Sequence, residues 1–345
     1  MKAAVIRTPG SIQVEDIPMP DMSQDQILVK VKACGICGTD LRIFRHGDSR
    51  AKYPIVIGHE IAGVVEDVGR NVTKFQVGDR VCIAPGHGCG HCIYCQSGNY
   101  NVCTNPCPSI GFASNGGLAE YMVPPTNVLK NGFVNKIPSN LSYEQATLSE
   151  PLACCINGHR NAKVNVGDTV LIYGAGPIGC FHIILSRLKG AKRIFVVDNV
   201  PERLEAVKLF EPDRIIDYKS ENTRDVIRSE APLGVDVVFT CAPSRAAQEE
   251  ALALIAPRGR VNLFGGLAKD DSKITIDANK VHYDEIFISG TSSSLPETNR
   301  EALKLLSEKK VVATDFISHS IPLGKLEQGF GLIEQKRGLK VIVVP

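Results

Sequence analysis

The first 150 residues place short apolar runs between turn residues, at a spacing that is typical of β-structure. The runs KAAVIR, QILVKVKA, IAGVVEDVG and DRVCIAP are rich in β-branched side chains. Turn signals such as Val68-Gly69 and Gly78-Asp79 separate them. Short strands spaced by such turns predict an all-β or barrel-like region.

The pattern changes near residue 156, where apolar strands begin to alternate with stretches of helical periodicity. This alternation predicts a parallel sheet with helices on both faces, and nearly continuous apolar strands fit burial on both faces. In the last fifty residues, ETNREALKLLSEKK and LEQGFGLIEQKR are predicted helices and KVIVV a predicted strand, but periodicity assigns them to neither region. The predicted strands are TVLIYGAG, RIFVVD, RIIDY, VDVVFT and RVNLFGG, and the predicted helices are PIGCFHIILSRLKG, PERLEAVKLF, NTRDVIRSE and RAAQEEALALI.

Length and composition predict a globular protein of two domains. The chain has 345 residues, of which 43% are hydrophobic and 22% charged, against roughly 150 residues for one domain. Its formal net charge of +2 is too small to attract nucleic acid or a membrane surface. No run approaches the ~18 apolar residues of a membrane helix. The start, MKAAVIRTPG, lacks the apolar stretch of a secretory signal, so we expect a cytoplasmic protein.

A glycine-rich hexapeptide, GAGPIG at 174–179, fits the dinucleotide-binding pattern G-x-G-x-x-G. It follows the strand TVLIY and opens a helix, and Asp198 ends the next strand 24 residues after Gly174. Asp198 would bind the adenosine ribose and repel a 2′-phosphate, which favours NAD, whereas Arg203 nearby weakens that preference unless it lies on a solvated helix face. The alternative is a glycine-rich turn without a ligand. The candidate cofactor-binding residues here are Gly174, Gly176, Pro177, Ile178, Gly179, Asp198 and Arg203.

Four cysteines within fifteen residues form the strongest metal-binding signal. Their spacing is C-x2-C-x2-C-x7-C, and four thiolates would fill the tetrahedral coordination sphere of a structural zinc. An iron–sulfur cluster and a nucleic-acid-binding finger are alternatives, and the small net charge argues against the finger. His87 and His91 lie beside the segment and could substitute as ligands. The four residues are Cys89, Cys92, Cys95 and Cys103.

A second candidate metal site combines residues that are far apart in the sequence. Cys37 lies in CGICGTD, His59 and Glu60 lie in GHE, and Glu150 lies in SEPLACC. Cysteine, histidine and carboxylate together suit a zinc ion that keeps one coordination position open. Spacing alone does not assemble these four residues.

The motifs CGICGTD, GHEIAGVVEDVG, the four-cysteine segment, EPLACC and YGAGPIG occur together between residues 34 and 179. As a set they resemble the zinc-dependent medium-chain dehydrogenase/reductase family of the alcohol dehydrogenase superfamily, and within it the sorbitol- or iditol-type polyol branch. The resemblance implies an α/β fold with a GroES-like β-barrel catalytic domain at 1–155 and 292–345. It also implies a doubly wound, parallel-sheet (Rossmann) NAD-binding domain at 156–291.

The resemblance also implies roles for individual residues. Cys37 and His59 would bind a catalytic zinc, with Glu60 and Glu150 as the acidic candidates. The zinc would act as a Lewis acid on the substrate hydroxyl, and the nicotinamide would accept the hydride. A glutamate at position 150, rather than a further cysteine, points to polyol-type substrates. Thr39 would be the first member of a proton relay.

Other positions depart from the family pattern or leave alternatives open. Many relatives carry a histidine where this chain has Arg42, and a guanidinium cannot relay protons near neutral pH. The relay then ends on His46, on ribose hydroxyls or on water; Arg42 itself either binds an anionic substrate group or faces solvent. Thr291 and Ser292 follow the strand IFISG and resemble the segment that lines the nicotinamide site, although a plain polar loop fits equally well.

The sequence therefore predicts a dehydrogenase that needs zinc and NAD and oxidises a secondary hydroxyl of a polyol or sugar derivative to a ketone. Relatives with similar motifs leave L-threonine, butanediol and sugar-alcohol phosphates as alternative substrates. By resemblance we expect a homotetramer or homodimer without nucleic-acid or membrane partners. The alternative from another class is an NAD-binding redox sensor, which would have no need of an open zinc site.

Overall fold

The computed structural model describes residues 1–86, 88–105 and 107–345, which form two compact units. The first unit comprises Met1–Ala153 and Ser294–Pro345, and the second unit comprises Cys154–Ser293. The boundaries predicted from the sequence lie within two residues of these. His87, a candidate ligand by sequence, falls outside the described residues.

The strands are short in the first 150 residues, as the spacing of apolar runs predicts. The strands of both units, in chain order, are β1 Lys2–Thr8, β2 Ser11–Asp16, β3 Ile27–Gly35, β4 Ile55–Val56, β5 Glu60–Val68, β6 Arg80–Ile83, β7 Tyr121–Met122, β8 Val134–Lys136, β9 Thr169–Tyr173, β10 Arg193–Asp198, β11 Arg214–Asp217, β12 Val235–Thr240, β13 Ile255–Leu263, β14 Phe287–Gly290, β15 Ile317–Pro322 and β16 Lys340–Val344.

The longer helices coincide with the stretches of helical periodicity. The α-helices are α1 Gly38–His46, α2 Ile93–Gln96, α3 Thr126–Lys130, α4 Tyr143–Thr147, α5 Ser149–Ala162, α6 Pro177–Leu188, α7 Pro201–Ala206, α8 Thr223–Glu230, α9 Arg245–Leu254, α10 Ala278–Tyr283, α11 Pro296–Ser307 and α12 Leu326–Glu334. Single 3₁₀ turns lie at Tyr100–Val102, Val207–Phe210, Lys269–Asp271, Ala313–Asp315 and Leu323–Lys325.

The first unit is built on a seven-stranded sheet of order β15-β16-β3-β5-β6-β8, in which β7 also pairs with β3. A smaller sheet of order β2-β1-β4 accompanies it. Along β3 the side chains of Ile27, Val29 and Val31 are buried and alternate with half-buried Leu28, Lys30 and Lys32, as expected for a strand with one face on a core. The final strand, β16, pairs antiparallel with β3, so the C-terminal segment completes this unit. The sequence did not predict β15.

The second unit contains a six-stranded parallel sheet of order β11-β10-β9-β12-β13-β14. This is the doubly wound order in which a nucleotide binds beyond the carboxyl ends of the strands where the order reverses, here at β9 and β12. Every residue of β9 is buried, because helices cover both faces of the sheet. Across the described residues, no helix is both long and apolar enough to span a bilayer.

Candidate metal centres and dinucleotide site

Three candidate metal ligands converge in the first unit. Cys37 immediately precedes α1, and His59 and Glu60 lie where β5 begins. One ligand atom from each lies within 4.8 Å of the others, and we call Cys37, His59 and Glu60 the mixed-ligand set. Thiolate, imidazole and carboxylate donors fit zinc and leave one coordination position for a further ligand. The sequence nominated these residues, and the fold of the first unit brings them together.

Asp40, which the sequence analysis did not select, holds the mixed-ligand set in place. Its Oδ1 lies 3.2 Å from His59 Nδ1 and accepts the Gly58 backbone N–H at 3.1 Å. Its Oδ2 accepts the Cys37 backbone N–H at 2.9 Å, which closes a capping box at the start of α1. With Nδ1 engaged, Nε2 is the nitrogen of His59 that remains for a metal. The sequence does contain Asp40, as the aspartate of the motif CGTD, but only the fold shows that it pairs with His59.

The Asp40–His59 pair is buried, and each partner stabilises the charged form of the other. Burial alone would raise the pKa of Asp40, but the neighbouring His59 and the hydrogen bonds from His59, Cys37 and Gly58 lower it. Burial alone would lower the pKa of His59, but the charge and hydrogen bond of Asp40, together with Cys37, raise it well above its ordinary value. Asp40 is therefore an ionised carboxylate that orients and polarises the imidazole.

Lys340 of β16 supplies a buried cation behind Glu60. Its Nζ lies 2.5 Å from the Glu60 carboxylate and donates to the Ile36 carbonyl at 3.2 Å. Lys340 is 4% exposed and Glu60 is fully buried, so this is an ion pair removed from water. Gly35 leaves the necessary room, because a Cβ there would lie 2.0 Å from Glu60 Oε2. No sequence pattern predicts that a residue 280 positions away contacts Glu60.

Glu150, Thr39 and His46, which the sequence also selected, do not belong to the mixed-ligand set. Glu150 is 7% exposed in the first turn of α5 and lies outside the mixed-ligand set. Burial would lower the pKa of Lys340, but the negative charges of Glu60, Cys37 and Glu150 raise it. Thr39 is half-buried in the first turn of α1, and His46 is exposed at the end of that helix.

The four predicted cysteines come together in a separate part of the first unit, with their sulfurs within 4.8 Å of one another. The Sγ atoms of Cys92 and Cys103 are 3.7 Å apart. A tetrahedral zinc with Zn–S bonds of about 2.3 Å needs sulfurs about 3.8 Å apart, so the arrangement fits a structural zinc. Backbone N–H groups of Cys89 and Cys92 donate to the sulfurs of Cys103 and Cys89, each at 3.3 Å. We call these residues the four-cysteine set: Cys89, Cys92, Cys95 and Cys103.

His91 lies at the edge of the four-cysteine set and is not part of it. Its Nδ1 is 3.0 Å from the Cys89 carbonyl and its Nε2 is 3.4 Å from the Asn105 amide nitrogen. Burial would raise the pKa of Cys89, but hydrogen bonds from the backbone of His91 and Cys92 and from Asn105 lower it to about 6. A thiol of this acidity is ready to act as a thiolate ligand.

The glycine-rich turn of the second unit has the geometry that a dinucleotide requires. Gly174 follows β9 with φ +107°, a conformation that favours glycine. A Cβ on Gly179 would lie 1.8 Å from the Gly174 carbonyl oxygen, so only glycine allows α6 to approach the turn. Pro177 begins α6 and Ile178 follows it, so the free backbone N–H groups of the first turn are available to phosphate.

Asp198 lies at the carboxyl end of β10, next to the glycine-rich turn. Its Oδ2 accepts the Ala175 N–H at 2.7 Å, and its Oδ1 accepts the N–H groups of Asn199 and Val200 at 2.7 and 3.0 Å. Arg203 does not lie on a solvated helix face: its side chain is 28% exposed and Nη1 is 3.9 Å from Asp198 Oδ2. Its guanidinium lies over Gly176, 3.4 Å from where a Cβ would stand.

Thr291 and Ser292 directly follow β14, at the carboxyl edge of the same sheet. Thr291 Oγ1 accepts hydrogen bonds from the Asn161 and Asn262 amides, both at 3.0 Å, so this hydroxyl fixes the loop. Ser292 is exposed, and Ser293 adopts φ +60°. The loop therefore lies at the edge of the sheet where Rossmann folds bind nucleotides.

Comparisons with known proteins agree with this layout. The family model for the alcohol dehydrogenase GroES-like domain matches residues 23–135, and the zinc-binding dehydrogenase model matches residues 177–308. Sorbitol dehydrogenase of Bombyx mori is 32% identical over 99% of this chain and 97% of its own. D-arabitol-phosphate dehydrogenase of Enterococcus avium is 30% identical over 99% of this chain and 97% of its own. A structure described as a zinc-binding dehydrogenase of Sinorhizobium meliloti 1021 bound to NADP is 30% identical, with a TM-score of 0.91 over 100% of this chain and 99% of its own.

Proposed function

The chain belongs to the zinc-dependent medium-chain dehydrogenase/reductase family, and on that premise we propose that it oxidises a secondary hydroxyl of a polyol or sugar derivative to a ketone with zinc and NAD. The observation that carries the proposal is the mixed-ligand set, held by Asp40 on one side and Lys340 on the other. A structural cluster would use all its donors, whereas a set of three leaves a position for substrate. This open set also disfavours a redox sensor without turnover.

The geometry favours Glu60 as the third zinc ligand and leaves Glu150 outside the ligand set. Glu60 Oε atoms lie beside the Cys37 sulfur and the His59 ring, whereas Glu150 does not share that group. Zinc, when bound there, supplies Lewis-acid polarisation of the substrate hydroxyl, and NAD supplies the hydride acceptor. Glu150 acts on this site through its negative charge, which helps to raise the pKa of Lys340.

The chain's own residues set the charge balance of the site. Cys37, Glu60 and Asp40 are three anionic or potentially anionic groups, and Lys340 is the buried cation among them. Asp40 fixes the imidazole, and Lys340 fixes the Glu60 carboxylate. We assign Thr39, half-buried in the first turn of α1, to the first step of moving the hydroxyl proton outward. Position 42 is arginine, so solvent or another group receives that proton.

The dinucleotide site supports NAD through Asp198. A carboxylate at the end of the second strand of the unit binds ribose hydroxyls and opposes a 2′-phosphate. Arg203 lies beside it, over Gly176, where it would face a pyrophosphate or a 2′-phosphate. Thr291 and Ser292 complete the proposed cofactor-binding residues. We propose a second, structural zinc in the four-cysteine set.

We propose self-association, which the family resemblance implies and one surface of the second unit supports. β14 is the outer strand of the six-stranded sheet, and its Phe287 and Ile288 are 58% and 38% exposed. An outer strand with exposed apolar side chains is a surface for pairing between copies. We propose a homotetramer or homodimer, and light scattering of the wild type and of Phe287→Lys tests it. A wild-type monomer at micromolar concentration would refute it.

The experiment that tests the function is an initial-rate panel that follows the absorbance of reduced nicotinamide. Sorbitol, xylitol, L-threonine, 2,3-butanediol and a sugar-alcohol phosphate are each offered with NAD⁺. Turnover of a polyol or its derivative supports the proposal, whereas turnover of threonine or butanediol alone replaces the substrate class. Cys37→Ser is the matched control, because it should abolish turnover and leave binding of NADH unchanged. Full activity of Cys37→Ser would show that turnover does not require the mixed-ligand set.

A further inference from the structure

Two arginines share one carboxylate near the mixed-ligand set. Asp48 follows α1, and its side chain is only 5% exposed. Its Oδ1 accepts the backbone N–H and the Nε–H of Arg50, both at 2.9 Å. Its Oδ2 accepts Nη2 of Arg50 at 2.8 Å and Nη2 of Arg42 at 2.9 Å. We call Arg42, Asp48 and Arg50 the arginine–aspartate triad.

The triad is joined to the metal-ligating side chains by an aromatic ring. The guanidinium carbon of Arg50 lies 4.4 Å from the centroid of the Phe112 ring, and that ring is 5.9 Å from the ring of His59. Phe112 is 8% exposed, so its buried ring holds a fixed position against the guanidinium of Arg50. The two distances place the guanidinium of Arg50 at most about 10 Å from the His59 ring.

The triad carries an excess of positive charge that faces solvent. Two guanidiniums are always protonated and one carboxylate balances only one of them. The hydrogen bond from Arg50 lowers the pKa of Asp48 to about 2, even though burial opposes this, so the carboxylate stays ionised at neutral pH. Arg42 and Arg50 remain 51% and 58% exposed. Each guanidinium has five N–H donors, and Asp48 uses one of Arg42 and two of Arg50.

We propose that Arg50, assisted by Arg42 and positioned by Asp48, binds a carboxylate or phosphate group of the substrate, so that the substrate is an anionic polyol derivative. This inference rests on the proposed function and specifies its substrate class. A guanidinium fork matches the paired oxygens of a carboxylate or phosphate. Because Asp48 and Phe112 already hold the guanidinium of Arg50, little conformational freedom is lost when an anion binds.

The separation also sets the greatest length that the substrate needs in order to bridge the two groups. The reacting carbinol must lie at the mixed-ligand set, and its anionic group must reach Arg50. With C–C bonds of about 1.5 Å, a chain of about five carbons that ends in a carboxylate or phosphate spans even the largest separation that the two distances allow. Butanediol carries no anionic group and cannot use this contact. Sugar acids and polyol phosphates share the required chemistry and differ in the group presented to the arginine.

The test compares neutral and anionic substrates in the zinc-loaded enzyme and its variants. Sorbitol, D-gluconate and sorbitol 6-phosphate represent the neutral polyol, the carboxylate and the phosphate. We expect a higher kcat/KM for one anionic substrate than for sorbitol, and Arg50→Gln should lower it by about 10- to 100-fold, as expected for a lost charged hydrogen bond. The kcat/KM for sorbitol should fall by a much smaller factor than that for the anionic substrate in Arg50→Gln, and added salt should lower kcat/KM only for the anionic substrate.

Arg45→Gln is the matched control. Arg45 also stacks on a phenylalanine, Phe44, and pairs with a carboxylate, Glu334, yet it has no ring contact to His59. Arg45→Gln should leave all three kcat/KM values unchanged. A preference for sorbitol, or an equal loss on neutral and anionic substrates in Arg50→Gln, would overturn the proposal.

Calorimetric binding separates this inference from the proposed function. D-gluconate and sorbitol 6-phosphate are titrated into the zinc-loaded protein with NADH present, so turnover is not required. Binding that is weakened about tenfold or more in Arg50→Gln supports the anion site even if no substrate is oxidised, in which case the proposed function alone fails. Binding that Arg50→Gln does not change overturns the anion site even if a polyol is oxidised.

Discussion

Replacing Lys340 by methionine isolates the electrostatic role of the buried ion pair. Methionine keeps an unbranched side chain of similar length but removes the charge that faces Glu60 at 2.5 Å. Glu60 is fully buried, so its carboxylate would be left without a cation in the zinc-free protein. Loss of one partner of a buried pair costs about 3–5 kcal/mol, because the other charge stays desolvated. The variant also loses the hydrogen bond to the Ile36 carbonyl.

This cost predicts a dependence on metal that a purely steric effect would not show. For a domain of this size, each kcal/mol lowers the unfolding midpoint by about 2–4 °C, so zinc-stripped Lys340→Met should unfold roughly 6–20 °C below zinc-stripped wild type. A bound zinc would put positive charge beside Glu60, and the difference between the zinc-loaded proteins should be smaller. Circular dichroism is the suitable probe, because the chain has no tryptophan.

The double variant Lys340→Met with Glu60→Gln decides whether charge is the cause. Removing the carboxylate as well removes the uncompensated charge, so the zinc-stripped double variant should recover more than half of the lost midpoint. The reasoning is refuted if zinc-stripped Lys340→Met has the same unfolding midpoint as zinc-stripped wild type. It is also refuted if the double variant is no more stable than the single one.

Three further predictions concern the second unit. Asp198→Ala should weaken NAD binding and lower the ratio of kcat/KM with NAD to kcat/KM with NADP. An unchanged ratio would show that Asp198 does not determine the choice of cofactor. Gly179→Ala should abolish NADH binding in a fluorescence titration and lower the unfolding midpoint because its methyl group meets backbone, whereas Gly266→Ala, with open space around it, should do neither. Burial lowers the pKa of His159 to about 3 and that of His182 well below its ordinary value, so the native unit holds both neutral. Stability should therefore fall from about pH 6.5 downward, by about 1.4 kcal/mol per pH unit for each histidine, and His182→Phe should reduce that slope in urea titrations.

The sequence predicted those parts of the site that are local in the chain. GAGPIG between a strand and a helix, and four cysteines within fifteen residues, carry their geometry in their spacing, and the structure shows both as compact groups. The strand–helix alternation after residue 156 likewise predicted the parallel sheet of the second unit. Short-range patterns are sufficient where one turn or one loop brings the ligands together.

The sequence could not predict contacts made by pairing between distant strands. Lys340 reaches Glu60 because β16 lies antiparallel to β3, with Ile342 opposite Gly35, and nothing in KVIVV specifies that partner. The periodicity of the last fifty residues fits either domain, so it could not place the lysine. Only the assembled sheet puts the cation beside the carboxylate.

Arg42 shows how the same limitation affects a functional interpretation. In the sequence Arg42 replaces a relay histidine, and its side chain either faces solvent or binds an anionic group. Without its neighbours the two alternatives stay open. The structure adds Asp48, which binds Arg42 and Arg50 together, and Phe112, which places Arg50 near His59. Arg42, which occupies the position of the family's relay histidine, is therefore the weaker candidate for substrate contact. Arg50, which no motif contains, is the stronger one, because its guanidinium is held by two neighbours and still has donors to offer.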